Sequence, residues 1–188
     1  MSKETPEDLA FLIFSKGNST LGDFLTLMRF NEPFYDGRQK LIVELGTDNG
    51  LGAMVLASKG ARVTTIDNHR DKHLMIWQYL LEPLGINAVL NHTADAAMLC
   101  GNESVDVLYV DGDHTYEGVK RDYEAWFPKM KVGGVIIFHD MDPGHEGVWE
   151  FFNRDIQDEL ESGRLREIDC TETQRGHHSV IKVFVREK

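Results

Sequence analysis

The stretch from Val105 to Asp140, VDVLYVDGDHTYEGVKRDYEAWFPKMKVGGVIIFHD, constrains the fold more than any other part of the chain. Its two apolar runs, VDVLYVD and GGVIIFHD, read as buried β-strands that end in acidic residues. Between them, YEGVKRDYEAWFPKM carries Tyr116, Val119, Tyr123, Trp126 and Phe127 at the three-and-four spacing of one helix face. Strand, helix and strand with a short return predict a right-handed βαβ unit in a parallel sheet. Ligands of such sheets bind outside the carboxyl ends of the strands. Asp111, Asp113, His114, His139 and Asp140 all fall at that edge. If the two strands are neighbours, about 4.8 Å apart, these side chains converge on one small volume.

The rest of the chain is expected to complete a single domain. Its 188 residues suit one hydrophobic core, with residues 1–38 as a helical N-terminal cap and 39–188 as an α/β core. A formal net charge of -11 argues against nucleic acid, whose phosphates require clustered Lys and Arg. No apolar run reaches membrane-spanning length, and MSKETPEDL is too polar for a signal peptide. Cys100 and Cys170 form neither a metal-type pair nor a disulfide framework, so a reducing cytoplasm is the expected location.

Taken in order, Pro6-Glu7-Asp8 is a helix start before LAFLIF. LGDFLTLMRF then places Leu21, Phe24, Leu25, Leu27 and Met28 on one helix face, read as a cap on the sheet ahead of a lid over substrate. KLIVEL (40–45) is a strand that runs into GTDNGLGAMVLASKG, where Gly46 and Gly50 let the backbone approach a ligand and a helix opens near Leu51. The spacing Glu44-x-Gly46-x-x-x-Gly50 is not the G-x-G-x-x-G of dinucleotide folds, and Asp48 would repel a pyrophosphate. A cationic or zwitterionic ligand is therefore favoured over NAD.

A second strand, ARVTTID (61–67), ends in Asp67, which either holds a ribose diol or caps the following segment. The helix His73 to Leu84 is read as core through Leu74, Trp77, Leu80 and Leu81. A third strand, Asn87 to His92, leads to Thr93-Ala94-Asp95-Ala96, which meets an adenine amine or caps the helix with Ala97, Met98 and Leu99. Beyond Asp140, Pro143-Gly144 forms a loop beside the site, followed by a helix burying Val148, Phe151, Phe152, Ile156 and Leu160. The tail from Leu165 reads as two strands. They complete an α/β, Rossmann-like three-layer sandwich with a seven-stranded, mostly parallel sheet and one antiparallel edge strand. Tyr116 and Trp126 are read as core, and His145, His177 and His178 as surface loop residues, with His145 near the pocket.

A strand ending E-x-G-x-x-x-G, an acidic second-strand end and the run D-G-D-H-T-Y-E-x-V-x-x-D resemble a class I S-adenosylmethionine-dependent methyltransferase. The subgroup is that of compact O-methyltransferases of sugar and natural-product methylation, and the likeness covers roughly Leu41 to Phe152. The resemblance implies that Glu44, Gly46, Thr47 and Gly50 line the methionine end of the cofactor. It implies further that Asp67 binds the ribose hydroxyls, that Asp95 and Ala96 flank the adenine, and that Asn68 and Asp111 are also cofactor-binding. Related enzymes acting on catechols and macrolide sugars hold Mg²⁺ at positions matching Asp111, or Asp113 two residues on, and His139 and Asp140. His139 departs from that pattern, since imidazole suits Mn²⁺, Fe²⁺ or Zn²⁺ better than Mg²⁺. Gly52 and Ala53 also stand where relatives often carry hydroxyls.

The expected reaction is methyl transfer from a sulfonium to a hydroxyl of a small molecule or sugar. Asp111 sits at the reacting edge, and His114 or His139 accepts the proton; alternatively His114 only ties down its own turn. A divalent ion, Mg²⁺ or Mn²⁺, lowers the hydroxyl pKa. A metal-independent methyltransferase and a catalytically silent cofactor-binding module are the alternatives, and homo-oligomerisation stays open. Acceptor selectivity is expected from the N-terminal helices, the Met141–Gly147 loop or a neighbouring subunit.

Overall fold

The structure, a computed structural model, describes residues 21–69, 80–168 and 181–188. The helix expected from Pro6, the first part of the helix from His73, and the tail connection with Cys170, His177 and His178 lie outside the described residues.

Helix α1 (Leu21–Met28) leads into a small hairpin of β1 (Phe34–Tyr35) and β2 (Arg38–Gln39). Asp36 and Gly37 turn it with φ of 50° and 75°. This is the Asp-Gly hairpin signal, carried in the sequence by FYDGRQ. The remaining elements are β3 (Leu41–Leu45), α2 (Leu51–Ala57), β4 (Arg62–Asp67), β5 (Asn87–Leu90) and the single turn α3 (Thr93–Ala96). They continue with β6 (Val105–Val110), α4 (Tyr116–Trp126), β7 (Met130–Phe138), α5 (Glu146–Phe151), α6 (Gln157–Glu161), β8 (Leu165–Ile168) and β9 (Lys182–Arg186). A π-helical turn, Phe152–Ile156, joins α5 to α6.

The seven strands stand in the order β5-β4-β3-β6-β7-β9-β8. Those from β5 to β7 are parallel neighbours, and β9 pairs antiparallel with both β7 and β8. The expected seven-stranded sheet and its βαβ centre are therefore present. The reversed strand lies one place in from the edge, so β8, although outermost, runs with the parallel set. Strand β7 also begins earlier than GGVIIFHD suggests, at Met130, and absorbs Gly133 in a register shift against β6.

Side-chain alternation divides the core into two layers. Val43, Leu45, Leu108, Val110, Ile136 and Phe138 face α4 and α5, where Val119, Tyr123, Trp126, Val148 and Phe151 are buried. Ile42, Val107, Tyr109 and Ile137 face the opposite layer, which includes Leu27 of α1 and Ala53 and Leu56 of α2. The parity that sends Tyr109 and Ile137 towards α1 also sends the next odd-numbered residues, Asp111 and His139, that way. No helix among the described residues is long and apolar enough to cross a membrane.

Candidate active site

Backbone pairing continues past the strand ends and builds the floor of the site. The N–H of Gly46 donates to the Ile66 carbonyl (2.8 Å), that of Asp111 to Leu45 (2.8 Å), and that of His139 to Val110 (3.0 Å). Four neighbouring strands are thereby held in step where their carboxyl ends open into a cleft of about 830 Å³. That lies within the range of roughly 300–1,000 Å³ typical of ligand sites. Gly46 is required here: its φ is +93°, and a Cβ would meet the Asp111 carbonyl oxygen at 2.0 Å.

The glycine loop is fastened by buried polar groups. Asp67 Oδ2 accepts the backbone N–H of Thr47 (3.0 Å) and of Asp48 (3.3 Å), while Oδ1 accepts that of His69 (2.8 Å). Beneath it, Thr65 donates to Glu44 Oε2 at 2.5 Å and its oxygen lies 2.7 Å from the Thr47 hydroxyl. Since Thr65 spends its proton on Glu44, Thr47 is the donor of that second bond. Burial raises the Glu44 carboxyl well above its ordinary pKa, against the opposing pull of Thr65. Gly52 is explained by this packing, because a Cβ there would strike Glu44 Oε1 at 2.1 Å.

At the other end of the cleft, Asp111, His139 and Asp140 come together, with one ligand atom from each lying within 4.8 Å of the others. His139 Nδ1 stands 3.3 Å from Asp111 Oδ1 and 3.1 Å from Asp140 Oδ1. Asp140 has a left-handed backbone (φ 56°), a conformation Asp tolerates better than most residues. His114 Nε2 lies 3.1 Å from Asp140 Oδ2 and 3.5 Å from Asp111 Oδ1. Burial opposes ionisation of Asp111, but His114 and His139 outweigh it and hold its pKa down to about 2. The His114 imidazole is raised, chiefly by the hydrogen bond to Asp111. For His139 too, burial is outweighed by Asp111, Asp140 and Asp23, which carry its pKa well above the ordinary value.

Asp113 follows a different course. Its Oδ1 accepts the Thr115 N–H (2.9 Å), and its carboxyl fills the space a Cβ on Gly118 would need, so it secures the first turn of α4. The Gly112 turn breaks the strand alternation and separates the two aspartates. Asp95 and Ala96 do not line the cleft: Asp95 is exposed on the first turn of α3, and Ala96 is in the core. His92 and Thr93 line the cleft where those two were expected. Thr93 is fixed from below by α4: its hydroxyl donates to Asp122 Oδ1 (2.6 Å) and its carbonyl accepts from Trp126 Nε1 (2.8 Å). Gly50 also stays off the wall; it opens α2 with φ 81°. Glu44, Gly46, Thr47, Asp67, Asn68, Asp111, Asp113, His114, His139, Asp140 and His145 do line it.

The wall also includes residues to which the sequence analysis gives no part in the site, among them Asp23, His69, Tyr109 and Arg121. Asp23 is buried on α1, with Oδ2 3.5 Å from His139 Nε2. Tyr109 donates from its hydroxyl to Asp111 Oδ2 (3.1 Å), and its i to i+2 spacing along β6 was the available signal. Seven carboxylates line the cleft (Asp23, Glu44, Asp48, Asp67, Asp111, Asp113, Asp140), and Arg121 is the one Lys or Arg side chain among its lining residues. A field of that sign disfavours phosphorylated ligands and suits cationic ones.

The chain is similar to known proteins in sequence and in fold. Residues 43–141, just over half of the chain, match a family described as a methyltransferase domain. Among solved structures, a Corynebacterium glutamicum protein aligns at a TM-score of 0.71 and 13% identity, over 100% of this chain and 92% of that one. An O-methyltransferase from Bacillus cereus, in complex with SAH, gives 0.62 and 18% identity over 99% and 93%. The MycE methyltransferase of the mycinamycin biosynthetic pathway, in complex with Mg and SAH, gives 0.63 and 14% over 100% and 55%. At identities this low, these alignments show a shared Rossmann-like fold and nothing further. The chain spans 6% and 16% of the lengths of two of the curated relatives it matches, uncharacterized proteins of Sinorhizobium fredii and Acanthamoeba polyphaga mimivirus. On the extent of the family match, the chain belongs to the methyltransferase-domain family.

Proposed function

We propose that the chain is an S-adenosylmethionine-dependent O-methyltransferase acting on a hydroxyl of a small molecule or sugar, with help from a divalent ion. The observation that carries this reading is the placement of the Asp111–His139–Asp140 cluster in the same cleft as the glycine loop fastened by Asp67. The SAH-bound state of the Bacillus cereus and MycE proteins supports the choice of cofactor.

Glu44, Gly46, Thr47, Asp67 and Asn68, which line the cleft, would hold the cofactor. The carboxylate-rich wall favours a sulfonium and an α-amino group, both cationic. The cluster fits a cation on one specific ground. His139 Nδ1 is fully buried without a hydrogen-bond partner, yet it is directed at two carboxylate oxygens. Asp111, His139 and Asp140 would hold the ion, which supplies Lewis acidity that lowers the pKa of an acceptor hydroxyl.

In the transfer, the acceptor oxygen forms the new O–CH₃ bond and the electrons of the CH₃–S⁺ bond return to sulfur. The hydroxyl proton leaves to a base. His114, half-exposed and with Nε2 turned to Asp140 and Asp111, would take it on Nδ1. Tyr109 keeps Asp111 turned inwards, so the protein's main work is alignment.

A metal-independent methyltransferase is the second reading. It is favoured by the three carboxylates around His139, which can balance an imidazolium without any ion. Both readings are tested by measuring SAH production from S-adenosylmethionine with a panel of catechols, sugars and other diols. Turnover lost in EDTA and restored by Mn²⁺ or Mg²⁺ supports the first, and turnover indifferent to EDTA supports the second. Cofactor binding with no turnover on any acceptor contradicts both and favours a silent binding module.

A further inference from the structure

We propose that Asp23, on helix α1, is a positioning residue that fixes the ring of His139 so that Nδ1 serves as a nitrogen ligand to the divalent ion. This rests on the metal-assisted reading above and extends it to a residue outside the matched family region.

The inference starts from the two faces of one buried ring. His139 is 5% exposed in its side chain, and neither ring nitrogen has a partner at hydrogen-bond geometry. Each nitrogen nonetheless faces carboxylate oxygen: Nδ1 meets Asp111 and Asp140, and Nε2 meets Asp23 Oδ2 at 3.5 Å. A neutral imidazole carries one N–H and one lone pair. With the proton on Nδ1, the Nε2 lone pair would face the Asp23 carboxylate. With the proton on Nε2, the Asp23 contact becomes attractive, and the Nδ1 lone pair shares its space with two anionic oxygens. Without an ion, a second proton on Nδ1 answers those oxygens, in keeping with the raised His139 pKa; a divalent ion would take that proton's place among the nitrogen and the two oxygens.

Histidines that ligate metals commonly donate their second N–H to a carboxylate, which sets the tautomer and the ring orientation. Asp23 occupies that place. It is held there by packing from its own segment. Leu27, one turn on, is buried in the α1-side core, and Asn31 ties the end of that segment to α2 through the Val55 carbonyl (3.2 Å) and the Ser58 hydroxyl (2.7 Å). The Tyr109 hydroxyl holds Asp111 Oδ2, leaving Oδ1 on the His139 side. One nitrogen and two carboxylates make a donor set suited to Mn²⁺ or Fe²⁺ more than to Mg²⁺, which prefers oxygen alone.

The test is Mn²⁺ titration of the full chain, followed by electron paramagnetic resonance, with ¹⁴N coupling read by pulsed methods. The wild-type protein is expected to bind Mn²⁺ with a resolved ¹⁴N coupling that disappears in His139→Ala. Asp23→Ala is expected to weaken Mn²⁺ about 10–100-fold and to reduce the coupling. Asp23→Asn, which keeps shape and an acceptor oxygen, should recover part of the loss; it carries the comparison if the alanine variant fails to fold. Mn²⁺ bound to the wild type without ¹⁴N coupling overturns the proposal. So does an Asp23→Asn or Asp23→Ala protein with wild-type affinity and coupling. In both cases the metal-assisted reading survives, whereas no Mn²⁺ binding to the wild type defeats both.

Discussion

The carboxylate of Asp67, at the end of β4, accepts the backbone N–H of Thr47 at 3.0 Å and so holds the glycine loop that follows β3. The same oxygen reaches the Asp48 N–H, and the other oxygen takes that of His69. Asp67 thus shapes the loop, while the resemblance gives it a part in holding ribose. Asp67→Asn puts an amide hydrogen against one of these N–H groups. With charge-assisted bonds worth about 1.5–3 kcal/mol, S-adenosylmethionine affinity should fall roughly ten- to a hundredfold. Equilibrium titration checks this, and a wild-type Kd would show that the loop keeps its shape without the charge.

Asp122 makes stability depend on pH. Burial pushes its carboxyl from 3.8 up to about 6, and the Thr93 hydrogen bond offsets only part of that. Between these values the folded protein keeps a proton that the unfolded chain has released, so stability falls as pH rises from about 4 to about 6. Above that window the buried anion costs a constant amount, on the order of 3 kcal/mol at about 1.4 kcal/mol per pH unit. Asp122→Asn keeps an acceptor for Thr93 and should raise the melting temperature at pH 7.5 but not at pH 4. Melting curves across that range check it, and an equal shift at both pH values would contradict it.

Gly147 opens α5 directly against the His114 turn, where a Cβ would lie 2.4 Å from the His114 carbonyl oxygen and 2.5 Å from the Tyr116 nitrogen. Both are backbone atoms, so Gly147→Ala must move the turn. Cofactor affinity should stay unchanged while kcat falls about a hundredfold, the scale of a 1 Å misplacement. Parallel binding and turnover measurements separate the two effects.

Asp140 combines a charge with a left-handed backbone. Asp140→Asn tolerates that conformation and removes the charge, whereas Asp140→Ala adds strain of about 1–3 kcal/mol. Both variants should lose divalent-ion binding, and only the alanine variant should melt markedly lower. Calorimetry with Mn²⁺ together with thermal melts distinguishes the two outcomes.

Much of this was legible in the sequence because strand periodicity and chain topology are local signals. The run from Val105 to Asp140 places Asp111, His114, His139 and Asp140 at one edge, and they meet there. What the sequence leaves unread is where the chain bends. Asp111 and Asp113 share strand parity, but the Gly112 turn sends Asp113 to the first turn of α4. The resemblance puts Asp95 and Ala96 beside the adenine, yet the chain turns into α3 at His92, so His92 and Thr93 line the cleft instead. Asp23 looks in sequence like the polar side of a capping helix. Only packing of α1 through Leu27 brings it to His139.

The central claim is that this acidic cleft binds S-adenosylmethionine. Calorimetric titration of the wild-type chain with S-adenosylmethionine, beside Gly46→Ala, tests it most directly. The added Cβ would meet the Asp111 carbonyl at 2.0 Å, so saturable binding by the wild type and none by the variant is the predicted result. No binding heat from the wild type, with or without Mn²⁺, would contradict the account.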